Sequence, residues 1–258
     1  MALQLKKLIP YAFAGWIPGG RKSCVLCGHH VWRFMPYRRG SRVVAPLMRT
    51  LDVVGSNVDH FECPRCGAHD RERHLFLYLK CSGVLARMRG RNILHFAPEK
   101  HLSNLISAQE PAEYVQADLY PNAPGVQRVD MLAMPFADGS FDVLIANHVL
   151  EHVPDASAAL AEIFRVLKPG GETILQTPYS RKLQHTWEDA GIDTPQARLY
   201  AHGQEDHVRL FGRDIFERIT AAGFESNVQL HADLLQAYDP ATHGVNPAEP
   251  FFLFRKPG

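Results

Sequence analysis

The sequence predicts an α/β protein with a doubly wound, mostly parallel sheet, preceded by a small cysteine-rich module. Residues 142–146 (DVLIA) form an apolar run, as expected for a strand buried on both faces of a parallel sheet. Pro154 and Asp155 then begin a helix whose apolar residues recur at spacings of three and four up to Leu167. Two Cys-x-x-Cys pairs precede this pattern and indicate the separate small module.

Length and composition fit one full α/β domain with a small accessory module. The chain has 258 residues, of which 46% are hydrophobic and 21% charged, an ordinary balance for a globular protein. No apolar run approaches the roughly 20 residues that span a bilayer. Two lysines precede an apolar patch near the start, but Pro10 and Pro18 interrupt it and no small-residue cleavage site follows. We therefore expect a cytosolic protein that begins with a short surface segment suited to a membrane interface.

The net charge of +1 conceals a strongly basic first fifth of the chain. Residues 1–51 contain nine basic residues and no Asp or Glu, which leaves −8 for the remainder of a chain of net charge +1. This asymmetry predicts an anionic partner: nucleic acid, another phosphate group or an anionic membrane surface. Aromatic residues among these charges form either a nucleic-acid surface or the core of a small basic module. They are Trp16, Trp32, Phe34 and Tyr37.

The two cysteine pairs predict a structural zinc site. They are Cys24 with Cys27 and Cys63 with Cys66, each followed by a glycine that allows the backbone to curl. Two residues between thiolates let one tight turn direct both sulfurs at one metal, and two such turns complete a tetrahedral shell. Disulfides are the alternative, which a cytosolic location disfavours. A closed shell has no open position for catalysis, so the metal would hold the fold. Three nearby histidines could replace a thiolate: His29, His30 and His69.

The segments between the module and residue 142 alternate between helix and strand patterns. A helix is predicted over residues 71–88, with Gly83 as a break, and Cys81 in its apolar pattern is predicted to be buried. Strands are predicted at residues 92–96, 114–117 and 126–132, with a helix to about residue 108 after the first. Asp118 ends the second of these strands, and Asp130 lies near the end of the third.

The segments after residue 167 alternate in the same way. Residues 168–171 (KPGG) end the helix that Pro154 begins, and residues 172–176 form the next strand. Residues 178–211 form an irregular insert rich in His, Asp, Gln and Arg. A helix over 212–222 and strands over 224–230 and 250–254 complete the chain.

Residues 135–171 resemble the segment around the fourth and fifth strands of class I S-adenosylmethionine-dependent methyltransferases. In that family PF-x-D-x-SFD leads into the strand and R-x-LKPGG follows the helix. Both strings are present here, at residues 135–142 and 165–171. CPRCG, LHFAPE and HVLEHV extend the resemblance, over about residues 61–230, to a type 11-like bacterial subgroup. It implies a basic segment and zinc ribbon over residues 1–70. A Rossmann-like, seven-stranded methyltransferase domain would cover 71–258, closed by an antiparallel pair of strands.

The resemblance also implies a binding site for S-adenosylmethionine across the carboxyl ends of the first four strands. Asp118 occupies the position of the acid that pairs with the ribose hydroxyls. Asp130 and Met131 occupy the position beside the adenine, and Asn147 and His148 would lie beside the methionine portion.

The loop after the first strand departs from the family pattern. The usual D-x-G-x-G is replaced by residues 95–99 (HFAPE), with His95 in the place of the acid and Ala97 in the place of the first glycine. Pro98 removes one N–H donor, whereas Glu99 at a helix start suits the helix dipole and could bind the cofactor ammonium. Either the altered loop still binds the cofactor or the fold has lost it. The subgroup resemblance favours the first interpretation.

Methyl transfer from a sulfonium is an in-line displacement, so the protein has to align a nucleophile and remove its proton. The family places acceptor-binding groups in the insert at residues 178–211. Within it His207 is a candidate general base, with Asp206 or Asp189 orienting the ring. His148, close to the presumed methyl group, is the competing candidate.

Three classes of function remain open from the sequence. The leading one is O-methylation of a small molecule or glycan residue. The second is ribosomal RNA methylation, which the basic zinc ribbon would suit, although the chain lacks the N/D-P-P-Y/F signature of base amino methylation. The third is a non-catalytic binding protein on the same fold. Salt-sensitive affinity for RNA would favour the second class, and absence of cofactor affinity the third.

Overall fold

A computed structural model describes residues 2–258, and the side chains from Leu8 onward. Met1 and the side chains of Lys6 and Lys7, part of the predicted basic segment, lie outside the described residues. The strands are β1 Lys22–Ser23, β2 His30–Val31, β3 Val53–Val54, β4 Asn92–Phe96, β5 Glu113–Asp118, β6 Gln127–Arg128, β7 Phe141–Ala146, β8 Leu167–Ile174, β9 Tyr179–Ser180, β10 Glu225–Ser226 and β11 Leu253–Arg255. The α-helices are α1 Ala2–Trp16, α2 Pro46–Thr50, α3 Asp70–Cys81, α4 Val84–Arg87, α5 Lys100–Ser107, α6 Ala156–Val166, α7 Pro195–His202, α8 Ile215–Ala221, α9 His231–Leu234 and α10 Pro240–His243.

The chain forms two compact units, and it crosses between them several times. The ribbon unit comprises the chain up to Val44, Gly55–Gly83 and Leu230–Glu249. The sheet unit comprises Ala45–Val54, Val84–Gln229 and Pro250–Gly258. Helix α3 and Leu230–Glu249 thus lie in the ribbon unit. This division differs from the predicted domains 1–70 and 71–258, because the ribbon unit takes two segments from the C-terminal side of residue 70.

The sheet unit contains a mostly parallel seven-stranded sheet of the Rossmann-like type, in the order β10-β11-β8-β7-β4-β5-β6. The five strands from β8 to β6 in this order run parallel, and β11 is antiparallel to both β8 and β10. The central strand β7 has Leu144, Ile145 and Ala146 fully buried. This burial confirms the α/β fold expected from the apolar run, because both faces of a central parallel strand are covered.

Helix α6 begins and packs as its sequence predicts. The carboxylate of Asp155 accepts a hydrogen bond from the backbone N–H of Ala158 and so caps the helix. The next strand, however, begins at Leu167 and includes the KPGG residues, which were predicted to separate helix from strand. At Gly171 a Cβ atom would lie 2.9 Å from the carbonyl oxygen of Lys168. This close approach requires glycine.

Several other segments differ from the predicted ones. The third parallel strand is only Gln127–Arg128, and the closing pair is Glu225–Ser226 with Leu253–Arg255. The insert at residues 178–211 is not wholly irregular, because β9 and α7 form within it; Thr194 caps α7. Cys81 is exposed, which corrects the prediction of a buried core residue. It is the last residue of α3, whereas Leu75, Leu77 and Leu79 bury their side chains.

Within the described residues, none of the helices is long and apolar enough to cross a bilayer.

Candidate active site and metal centre

The four paired cysteines converge in the ribbon unit. Each pair forms the expected turn, in which the N–H of the following glycine donates to the carbonyl of the first cysteine at 2.9 Å. The Cys24 and Cys66 sulfurs lie 3.8 Å apart, and those of Cys27 and Cys63 lie 4.0 Å apart. Sulfurs about 2.3 Å from one tetrahedral zinc ion would be separated by roughly 3.8 Å. All five cysteines are free thiols, so the described chain contains no disulfide.

The surroundings of the cluster fit an anionic metal–thiolate group. The thiols share hydrogen bonds, which lower the pKa of Cys63 and raise that of Cys24. The fully buried guanidinium of Arg73 donates to backbone carbonyls, including that of Ala68 at 2.8 Å. Burial lowers the Arg73 pKa, and the negative charges of Asp70 and the nearby cysteines oppose that shift. Cys24, Cys27, Cys63 and Cys66 could therefore hold a metal ion, and neither His29, His30 nor His69 belongs to this described cluster.

The aromatic residues of the basic segment divide between core and surface. Phe34 is buried, with the Arg73 guanidinium 3.9 Å from its ring centroid. Trp16 and Trp32 are exposed, and the guanidinium of Arg65 lies 3.8 Å from the Trp16 ring. Tyr37 packs against Phe61 with ring centroids 4.9 Å apart. Phe34 therefore belongs to the core of the module, as one of the two predictions has it. Trp16 and Trp32 lie at the surface.

In the sheet unit, the loop after β4 brings three of the predicted cofactor residues together. His95 is buried; its Nδ1 lies 2.8 Å from the Tyr114 hydroxyl and its Nε2 lies 3.2 Å from Glu99 Oε2. The other Glu99 oxygen accepts a hydrogen bond of 2.5 Å from the Asn147 side-chain amide. Glu99 therefore joins the ends of β4 and β7, and both of its carboxylate oxygens have partners on these elements.

Ala97 adopts the backbone conformation that a glycine would normally supply. Its φ angle is +48°, in the left-handed region. Its N–H donates to the Ala117 carbonyl at 2.8 Å, which ties the loop to β5. The loop thus keeps the tight turn without a glycine, at a cost in backbone strain of about 1–2 kcal/mol.

Substituting Ala97→Gly is expected to stabilise the sheet unit. Relief of the left-handed strain exceeds the entropy that glycine adds to the unfolded chain, so we expect the free energy of unfolding to rise by up to about 1 kcal/mol. Urea unfolding would measure the change, and Ala97→Val would serve as the opposite case because a β-branched residue resists positive φ. A less stable glycine variant would refute the strain argument.

Asp118 and Asp130 lie where β5 and β6 end, and each stabilises its own turn. Asp118 Oδ1 accepts from the backbone N–H of Tyr120 at 2.8 Å, and Asp130 Oδ1 accepts from that of Leu132 at 2.9 Å. The Val129 N–H donates to the Asp118 carbonyl at 3.0 Å. Met131 is buried. Each bond uses one carboxylate oxygen and leaves the other Oδ for a second hydrogen bond.

Beyond the end of β7, a buried carboxylate meets the candidate catalytic histidines. His148 is buried with a φ of +57°, and its Nδ1 lies 3.3 Å from Glu151 Oε1. The Thr177 hydroxyl donates to the other oxygen of Glu151 at 2.9 Å. Burial alone would raise the Glu151 pKa. The hydrogen bond from His148 and the charges of nearby histidines outweigh burial and lower this pKa to about 2.

His207 also faces Glu151 rather than the acids proposed to orient it. Its Nε2 lies 4.0 Å from Glu151 Oε1, and its Nδ1 lies 3.1 Å from the His202 carbonyl. Burial lowers the His207 pKa, and the Glu151 charge opposes that shift. The Asp206 carboxylate lies 3.4 Å from His152 Nδ1, and Asp189 accepts a hydrogen bond from the Gly191 N–H.

The sequence motif HVLEHV contains Glu151, for which the sequence analysis predicted no role. The available signal was an acid five residues after a buried strand, with histidines three residues before and one residue after it. Its partner His207 is 56 residues further along the chain, so spacing alone could not reveal the contact.

A family model and several known proteins match part of this chain. A family model described as a methyltransferase domain matches residues 90–175. An uncharacterized 37.1 kDa protein in transposon TN4556 of Streptomyces fradiae is 31% identical over 136 residues, covering 50% of this chain and 37% of that protein. The malonyl-acyl-carrier protein O-methyltransferase of Erwinia billingiae is 33% identical over 88 residues, covering 33% of this chain and 35% of that protein. The chain thus spans little more than a third of the length of these relatives.

A solved structure of an S-adenosylmethionine-dependent methyltransferase from Mesorhizobium loti is 15% identical to this chain. The similarity covers 69% of this chain and 97% of that one, with a TM-score of 0.47. The matched model, together with relatives named as methyltransferases, thus indicates a methyltransferase domain over residues 90–175.

Proposed function

We propose that the chain transfers a methyl group from S-adenosylmethionine to a hydroxyl of a small molecule or glycan residue. The observation that carries this proposal is the buried His148–Glu151 pair beyond the carboxyl end of β7, with 3.3 Å between Nδ1 and Oε1. Carboxyl ends of parallel strands are where α/β sheets bind ligands. A base at this position suits an acceptor such as a hydroxyl, which has to lose its proton.

In the proposed mechanism, the bound cofactor supplies the methyl group on its sulfonium. Glu99 would hold the cofactor ammonium, Asp118 its ribose hydroxyls, and Asp130 with Met131 its adenine side. Asn147 holds Glu99 in place through the 2.5 Å hydrogen bond. These roles rest on strand-end positions and on the resemblance around residues 95–148.

His148 is the general base that the contacts favour. If Nδ1–H donates to the ionised Glu151, then Nε2 is the ring atom that accepts the acceptor's proton. His207, whose Nε2 is 4.0 Å from the same carboxylate, is the second candidate. Asp189 would stabilise the conformation of the insert and would not orient His207, since its Oδ1 accepts a hydrogen bond from the Gly191 N–H at 2.8 Å.

For the ribbon unit we propose a structural zinc ion held by the four cysteines. The sulfur spacings of 3.8 and 4.0 Å support this, as does the buried Arg73 cation beside the cluster. Four thiolates close the coordination shell, so this metal would have no direct part in methyl transfer.

The test is a transfer assay with methyl-labelled S-adenosylmethionine and the zinc-loaded protein. Panels of mono- and oligosaccharides, phenols and purified ribosomal RNA would be offered in parallel. We expect label in an alkali-stable methyl ether of a hydroxylated acceptor. Label in RNA bases would instead establish the RNA methyltransferase class, for which the exposed tryptophans of the basic segment would be the binding surface. No transfer and no cofactor binding would indicate the non-catalytic class.

A further inference from the structure

Glu151, His152 and His207 form a cluster beside the proposed base His148, which shares only Glu151 with it. One ligand atom from each lies within 4.8 Å of the others. The rings of His152 and His207 meet edge to face, with centroids 4.8 Å apart. All three residues belong to the sheet unit, with two following β7 and the third on the insert.

One atom of this cluster is buried without a hydrogen bond. Among the described residues, His207 Nε2 has no hydrogen-bond partner, and its residue is 3% exposed. Burying a polar atom in this way costs free energy unless another group satisfies it. Glu151 Oε1 lies 3.3 Å from His148 Nδ1 and 4.0 Å from His207 Nε2, and the second distance is too long for a hydrogen bond. It does fit two ligands of one ion, because atoms about 2.1 Å from a metal lie at most roughly 4.2 Å apart.

The remaining polar atoms of the cluster are held as in metal sites. Nδ1 of His207 lies 3.1 Å from the His202 carbonyl, and Nδ1 of His152 lies 3.3 Å from the Asp206 carbonyl. A ligating histidine typically donates its other ring N–H to such a carbonyl, which fixes the tautomer and ring orientation. For Glu151, the Thr177 hydroxyl donates to Oε2, whereas Oε1 faces both His148 Nδ1 and His207 Nε2, so an ion would share Oε1 with the proposed base.

We propose that Glu151, His152 and His207 bind a divalent transition-metal cation. Two imidazoles and one carboxylate suit Zn²⁺, Co²⁺ or Fe²⁺ rather than Mg²⁺ or Ca²⁺, which prefer oxygen ligands. With three protein ligands, the ion would keep open coordination positions, whereas the four cysteines of the ribbon unit would close the shell of their ion. Metal binding at this site does not depend on methyl transfer. An ion there would nevertheless lie beside the proposed base and could coordinate an acceptor oxygen.

The test is calorimetric titration with Co²⁺ of protein loaded with a single equivalent of zinc, the amount that the cysteine cluster would take, followed by visible absorption. We expect one further equivalent to bind with weak d–d bands and without the intense thiolate-to-cobalt charge-transfer bands of a cysteine site. Glu151→Gln and His207→Asn should each weaken this binding by at least ~10-fold. His152→Asn should also weaken it. His152 is only half-buried, so this variant is expected to fold. It therefore tests metal binding even if the other two variants fail to fold.

His185→Asn is the matched control, since it removes an exposed histidine of the same insert and should leave Co²⁺ binding unchanged. If the wild-type protein binds no further Co²⁺, or if the cluster variants bind it as tightly as the control does, the proposal is wrong. Binding of S-adenosylhomocysteine, measured on the same samples, separates failure of this site from failure of the proposed methyltransferase function.

Discussion

Replacing Cys63 with serine is expected to abolish zinc binding and unfold the ribbon unit. Cys63 is fully buried with its sulfur 4.0 Å from that of Cys27, and a serine hydroxyl is a poor zinc ligand at neutral pH. Structural zinc sites contribute on the order of 10 kcal/mol of binding free energy, which in small metal domains is folding free energy. Metal analysis and circular dichroism of the purified variant would measure the two losses.

Cys81→Ser is the control for this experiment, because Cys81 is exposed and lies outside the cluster. It should retain one tightly held zinc ion per ribbon unit and the wild-type spectrum. A Cys63→Ser protein that keeps stoichiometric zinc and its fold would contradict the proposed metal centre.

Replacing His148 with asparagine is expected to lower kcat for methyl transfer by about 100- to 10,000-fold, the usual contribution of a general base. Asparagine suits this position because it tolerates the left-handed backbone that His148 adopts at φ +57°, so the loop should keep its shape. Steady-state kinetics with the acceptor found in the labelling assay would measure the change.

A purely structural role for His148 would lower stability and leave the pH profile unchanged. Loss of a base should remove the rise of rate with pH on the acid side of the profile. The affinity for S-adenosylhomocysteine should meanwhile stay within a few-fold of wild type. His207→Asn, tested alongside, distinguishes the two candidate bases. A His148→Asn enzyme with wild-type kcat would exclude His148 as the base.

Local sequence patterns predicted most of the sheet unit. The apolar run of β7, the Asp155 cap of α6 and the alternating segments from β4 onward follow from burial and capping rules that act over a few residues. The same patterns misplaced the start of β8, because the KPGG residues lie within a strand, where Gly171 packs closely against the carbonyls of Lys168 and of Asp142 on β7. Strand ends and the position of Cys81 depend on such tertiary contacts.

The candidate sites also contain features that local sequence patterns predict and features that depend on the fold. Cysteine spacing predicted the thiol cluster, since the turn geometry of each pair is local. The meeting of Glu151 with His207, and that of Glu99 with Asn147, joins residues far apart in sequence and needed the fold. The left-handed Ala97 explains how a loop without glycine keeps its turn, which sequence reasoning could only leave as an alternative. The cofactor roles of Asp118 and Asp130 stay predictions.

Calorimetric titration of the zinc-loaded protein with S-adenosylhomocysteine tests the central claim, a working cofactor site built on the altered loop. We expect micromolar binding, weakened by about 10- to 100-fold in Asp118→Ala because hydrogen bonds to a charged group are lost. Asp193→Ala, at an exposed position of the insert, should bind as wild type does. No detectable binding at millimolar ligand would contradict the enzyme assignment and leave a ribbon-containing binding protein on a methyltransferase fold.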